Sequence, residues 1–227
     1  MTFTRYAIYY APPAGAAWSR FTAGWLGWDM EAGLDMPHPQ VHGLDVAAIT
    51  DVPRKYGLHA TLKPPMRLAE GQTRSALEDA CAALAATHKP VTLDGLQLAR
   101  LGRFLALRPA GDDTALKALA AACVTELDRF RAPASEAELE RRRGAGLPPE
   151  QDANLSRWGY PYVLDQFRFH ITLTGKLPKP QLPAVQDALD THLLPLLPAP
   201  FVIRDLALVG EAADGRFHLI HRYALSG

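Results

Sequence analysis

Cysteine is scarce in this chain. There are two in 227 residues, Cys81 and Cys123, and no Cys-x-x-Cys pair. That argues against a zinc or iron–sulfur site built from cysteines. Both thiols fall in alanine-rich helical stretches, where they read as small buried apolar groups. A surplus of charge is missing too: 24 Lys and Arg balance 24 Asp and Glu. Zero net charge argues against a protein that coats long nucleic acid by neutralising its phosphates. A small phosphate ligand needs only a few local cations and stays open. No run of about 18 apolar residues occurs. Met1 to Tyr10 lacks a charged start followed by a long apolar stretch. The expectation is a cytoplasmic protein with no membrane partner and an undetermined oligomeric state.

What is present is enough apolar residue, 48% against 21% charged, to bury a real core. Two phrases then stand out as copies. Gly57-Leu58-His59-Ala60-Thr61-Leu62 and Arg168-Phe169-His170-Ile171-Thr172-Leu173 both read apolar–His–x–Thr–Leu. Residues i and i+2 of a strand share a face. Each phrase therefore sets an imidazole beside a hydroxyl. The likeness extends to Val91–Leu98 with Phe201–Leu208, and to Gly102-Arg103-Phe104 with Gly215-Arg216-Phe217. A helix-like segment separates each His phrase from its later strands. The unit reads strand–helix–strand–strand, twice, which predicts an internally duplicated, two-lobed domain.

The expected elements follow from pattern. Arg5–Tyr10 reads as a strand and Trp18–Trp28 as a helix. Residues 35–51 read as loop. Tyr56–Leu62 is the first His strand, closed by Lys63-Pro64-Pro65. Ser75–Thr87 reads as a helix with a Ser75/Glu78 capping box. Val91–Leu98 and Arg103–Leu107 form an antiparallel pair. Thr114–Phe130 is the clearest helix. Phe167–Leu173 is the second His strand, Gln181–Leu194 the second lobe's helix, and Phe201–Val209 with Arg216–Tyr223 the final strands. The fold class is α+β: each lobe an antiparallel sheet with a packed helix, and the His-x-Thr strands facing across a central cleft. Lobe one covers about 50–110 and lobe two about 165–225. The stretch 112–158 lies between, its Arg141-Arg142-Arg143 and glycines suggesting either a solvated face or a mobile lid over an anion.

Two histidines across a phosphodiester can divide acid–base labour, since both protonation states of an ordinary imidazole are accessible near neutrality. Thr61 and Thr172 can hydrogen-bond the phosphoryl oxygens. The scheme needs neither metal nor cofactor. The candidate catalytic residues are His59, Thr61, His170 and Thr172. Lys55 and Lys63 flank His59 by four residues each way. Arg168 and Thr174 bracket the His170/Thr172 face. With Tyr56 and Tyr160, the latter within the aromatic turn Trp158–Tyr162, these are the candidate substrate contacts. A metal cluster from the six other histidines would need long-range convergence.

At His59, Thr61, His170 and Thr172 the chain resembles the 2H phosphoesterase superfamily, named for two His-x-Thr/Ser motifs in a duplicated α+β fold. Residues 54–63, 158–162 and 167–170 further resemble a bacterial branch associated with phosphonate metabolism. The resemblance implies a metal-independent phosphodiesterase acting on a small cyclic phosphate or related phosphoester. An RNA-end enzyme of the same chemistry and a non-catalytic phosphate-ligand sensor are the alternatives. The segment 132–158 departs from a minimal two-lobed enzyme.

Overall fold

The computed structural model describes residues 1–144 and 146–227. The chain runs β1 (Arg5–Tyr10), α1 (Ala17–Leu26), β2 (Trp28–Asp29), β3 (Leu34–Asp35), α2 (Val46–Arg54) and β4 (Ala60–Met66). It continues with α3 (Arg74–Ala86), β5 (Val91–Leu93), β6 (Gly95–Leu101), β7 (Phe104–Ala110) and α4 (Thr114–Glu126). Then come α5 (Glu136–Arg143), α6 (Pro149–Trp158), β8 (Ile171–Thr172), α7 (Leu182–His192), β9 (Phe201–Ile203), β10 (Asp205–Glu211) and β11 (Phe217–Ala224). Every pair among these strands is antiparallel. The fold is α+β, as the pattern predicts.

Two sheets carry the His phrases. One has the order β11-β10-β1-β4 and the other β6-β7-β8. Both His segments therefore sit at sheet edges, and each sheet draws strands from both halves of the chain. Sequence position groups β4 with β6 and β7 in a lobe spanning 50–110, whereas hydrogen bonding places β4 beside β1 and β8 beside β7. The helix α3 likewise packs on β10 and β11. The duplication is written into one short pairing: β5 and β9 join with Val91 opposite Ile203, Thr92 opposite Val202 and Leu93 opposite Phe201. Thr92 and Val202 are counterparts in the two copies, so this ladder sits on the local two-fold relating them.

Local chemistry explains where the expected elements shift. Residues 46–54 form α2 rather than loop, because the Asp45 side chain accepts from the Ala48 N–H and caps the helix. The proline in this stretch, Pro53, lies in the helix's last turn. Thr73, not Ser75, caps α3, accepting from the Ala76 N–H. The first His strand starts at Ala60 and continues through Pro64-Pro65 instead of closing there. Prolines are tolerated on an edge strand, where one side of the ladder is empty. The pairing also slips: Tyr9 faces Thr61, Ile8 faces Lys63, and Tyr6 faces Met66. Two steps on β4 against one on β1 make a bulge between Thr61 and Lys63.

The core explains why the phrases hold their faces. Leu58, Ala60 and Leu62 are buried, as are Phe169, Ile171 and Leu173. His59, Thr61, His170 and Thr172, on the alternate face, are half-buried. A slip of one residue would exchange those sets, so burial of the apolar residues locks the imidazoles and hydroxyls outward. The stretch 132–158 carries two short helices, α5 and α6. Ser135 caps α5 at Glu138 N–H, and Arg143 joins the two through Asp152 at 2.6 Å and Ser156 at 2.9 Å. Among the described residues no helix is long and apolar enough to cross a membrane.

Candidate functional site

Both His phrases border one cavity of about 440 Å³, lined by His59, Thr61, His170 and Thr172 together. The two imidazoles are held the same way. His59 Nδ1 lies 3.0 Å from the Gly57 carbonyl, and His170 Nδ1 lies 2.8 Å from the Arg168 carbonyl. A carbonyl only accepts, so each Nδ1 carries the hydrogen and donates it two residues back along the chain. Nε2 is then the free nitrogen of both rings: a base when the ring is neutral, an acid when it is protonated. Gly57 provides its carbonyl from a turn with φ of +66°, a conformation glycine adopts without steric cost.

The surroundings of the two rings differ. His59 is stacked on Tyr9, with centroids 4.1 Å apart and planes 30° apart, and Tyr56 lies 5.7 Å away. The aromatic neighbour of His170 is Phe104, at 6.1 Å. Burial lowers the His59 pKa from the ordinary 6.5 to about 4. The bond to Gly57 opposes that shift, and the positive charge His170 can carry reinforces it. His59 is accordingly neutral at physiological pH.

The other candidate contacts separate into two groups. Tyr56, Tyr160 and Thr174 line the cavity. Thr174 is buried and its hydroxyl is engaged, accepting from Leu105 N–H at 3.0 Å and donating to the Gly175 carbonyl at 2.9 Å. Lys63, Lys55 and Arg168 do not line the cavity. The bulge turns Lys63 to the core, where its ammonium donates to the Val124 carbonyl at 3.0 Å and sits 3.6 Å from Asp128. Burial lowers its pKa to about 8, with Asp128 opposing. The Lys55 ammonium lies over the Tyr56 ring at 4.9 Å, and Arg168 donates to the backbone carbonyls of Asp165 and Phe167.

The cavity gains cations beyond those candidates: Arg5, Arg142 and Lys176. Arg5 comes from β1 and is clamped by Glu211. Arg142 is the middle residue of the arginine run, while Arg143 is spent on Asp152 and Arg141 is exposed. Tyr9 was legible only as a strand residue, because nothing local says which strand will lie beside β4. Among the described residues no three His, Cys, Asp or Glu side chains converge as a metal site.

An α+β fold with twin His-x-Thr edges bordering one cavity defines the class of protein. The chain belongs to the family described as "Protein of unknown function (DUF1045)", which it matches over residues 61–218. It is 39% identical over 179 residues to the "Ribose 1,5-bisphosphate phosphokinase PhnN" of Janthinobacterium sp. (strain Marseille), covering 78% of this chain and 40% of that protein. A protein of the same description from Laribacter hongkongensis (strain HLHK9) is 34% identical over 213 residues, covering 93% of this chain and 49% of its own length. The chain thus spans less than half the length of the curated relatives it matches. Among solved structures, E. coli LigT complexed with 3'-AMP aligns over 100% of both chains at 17% identity and a TM-score of 0.47. TT0787 of Thermus thermophilus aligns over 98% of both at 16% identity and a TM-score of 0.44.

Proposed function

We propose that this chain is a two-histidine phosphodiesterase that opens a small cyclic phosphate or related phosphoester. The observation that carries the reading is the matched pair of imidazoles, each with Nδ1 tied to the carbonyl two residues back and each bordering the same cavity as its threonine. His59, neutral at pH 7, accepts a proton from water through Nε2. The water oxygen bonds to phosphorus as the bond to the leaving oxygen breaks. Protonated His170 gives its Nε2 proton to that oxygen, and solvent resets both rings. Thr61 and Thr172 donate hydroxyl hydrogens to the non-bridging oxygens. No step in this scheme calls for a metal or cofactor.

The cavity volume falls within the range of small-molecule sites, about 300–1,000 Å³. That favours a small phosphoester over an extended RNA; the RNA-end reading predicts a steep loss of binding with salt. The relatives' description as ribose 1,5-bisphosphate phosphokinases supports a phosphorylated pentose, and with the sequence resemblance a role in phosphonate metabolism.

The test is hydrolysis of ribose and nucleoside cyclic phosphates by EDTA-treated protein. We expect turnover that survives EDTA and drops by about 10²- to 10⁴-fold in His59→Ala and in His170→Ala. The double variant should fall little further, because the two residues act as a unit. Normal turnover by either folded single variant would sink the reading. Ligand bound and recovered intact by the wild type would turn it toward a sensor.

A further inference from the structure

We propose that Arg142, Tyr9 and Tyr160 form a subsite for a second anionic group, a phosphomonoester that the substrate carries away from the bond being cleaved. The inference rests on the two-histidine reading and adds a second recognition group to its substrate.

The argument begins with Arg142. Helix α5 buries no residue, yet this one side chain reaches the cavity wall. Its Nε is shielded from solvent and makes no hydrogen bond among the described residues. The guanidinium lies over the Tyr160 ring at 5.2 Å. The carboxylate facing it, Glu138, is 3.8 Å away and already accepts from Arg67 at 3.1 Å. Such a guanidinium keeps donors to give. Tyr9 is fully buried, lines the same cavity, and its hydroxyl has no hydrogen-bond partner among the described residues. Leaving a buried hydroxyl unpaired costs on the order of 1–3 kcal/mol, a cost that a ligand oxygen at this position removes. Burial pushes the Tyr9 pKa well up and raises that of Tyr160, so both remain O–H donors. The three groups line one cavity, and Arg142 packs over Tyr160 within it.

Charge and shape point to a phosphate. Arg5, which also lines the cavity, is held through Nε and Nη2 by Glu211, so much of its charge is already matched. Of the two arginines, Arg142 is the less committed. One guanidinium and two phenols offer three separate donors, which suit the three terminal oxygens of a phosphomonoester better than the two of a carboxylate. The segment 132–158, foreign to the duplicated pattern, thereby gains a role: it delivers Arg142 and leads directly into Tyr160.

The experiment compares kcat/KM for methyl ribofuranoside 2,3-cyclic phosphate with and without a 5-phosphate. Wild type, Arg142→Gln and Tyr9→Phe are assayed side by side. We expect wild type to favour the 5-phosphorylated compound at least tenfold. That ratio should fall tenfold or more in Arg142→Gln and several-fold in Tyr9→Phe. Equal use of both compounds by wild type, or an unchanged ratio in both variants, overturns the subsite. If wild type turns over neither compound, the two-histidine reading is what has failed. Calorimetric binding of ribose 5-phosphate against ribose then decides: a preference lost in Arg142→Gln upholds the subsite, and no preference rejects it.

Discussion

His59 and His170 are copies in sequence but not in environment, and the difference should be measurable. His59 stacks on Tyr9 with Tyr56 nearby and has its pKa lowered to about 4 by burial. In the unfolded chain it titrates near 6.5. Between those values the unfolded state binds the proton and the folded state does not. Stability from this group is therefore fully present above about pH 6.5, is lost as pH falls toward 4, and changes no further below that. The full drop corresponds to at most ~3 kcal/mol, less to the extent that water in the cavity screens the ring. Urea midpoints measured from pH 7 to 4 should fall for wild type and fall less steeply for His59→Gln. An identical slope in the two proteins would refute the assignment. The same value places the acidic limb of kcat/KM for the free enzyme near pH 4. Lys63 teaches the converse: an i+4 spacing assigned it to the His59 face, and one bulge buried it beside Asp128.

At the scale of elements, each histidine depends on the turn before its strand. Gly57 has a positive φ, and a β-carbon there would meet Met30 Cβ at 3.1 Å and Trp28 Cδ1 at 3.3 Å. Gly57→Ala thus strains the backbone that carries the His59-holding carbonyl. We expect a loss of about 1–2 kcal/mol of stability together with reduced turnover, read from urea melts and kcat. Full activity at normal stability would show that the turn does not position His59. This dependence was partly visible in sequence, because Gly57 stands two residues before His59. Most strands and helices were visible too, since alternation and 3.6-residue spacing are local signals. What escaped was set mostly by partners distant in the chain. The helix at 46–54 was obscured by the Pro, Gly and Asp of 35–51, although one of these, Asp45, caps it. The strand through Pro64-Pro65 needed knowledge that β4 is an edge. The cavity roles of Tyr9 and Arg5 needed knowledge that β1 lies beside β4.

The whole molecule differs most from its linear reading in how the copies combine. Two tandem repeats suggest one lobe within 50–110 and another within 165–225. The sheets instead exchange strands: β1 and β4 complete a sheet with β10 and β11, while β8 completes one with β6 and β7. The β5–β9 ladder ties the copies together, and α3 rests on the late strands. Neither half can bury its apolar face alone, because the surface it needs belongs to the other. The cavity has the same dual origin, with His59 from the sheet containing β4 and His170 from the sheet containing β8. Fragments 1–158 and 159–227, produced separately, should therefore lack cooperative melting and dispersed amide resonances. Mixed or co-expressed, they should recover both, and with them the activity of the intact chain. Independent cooperative folding of 159–227 would mean that the late strands form a self-sufficient unit, and that the interleaving of sheets contributes little to holding the two histidines around one cavity.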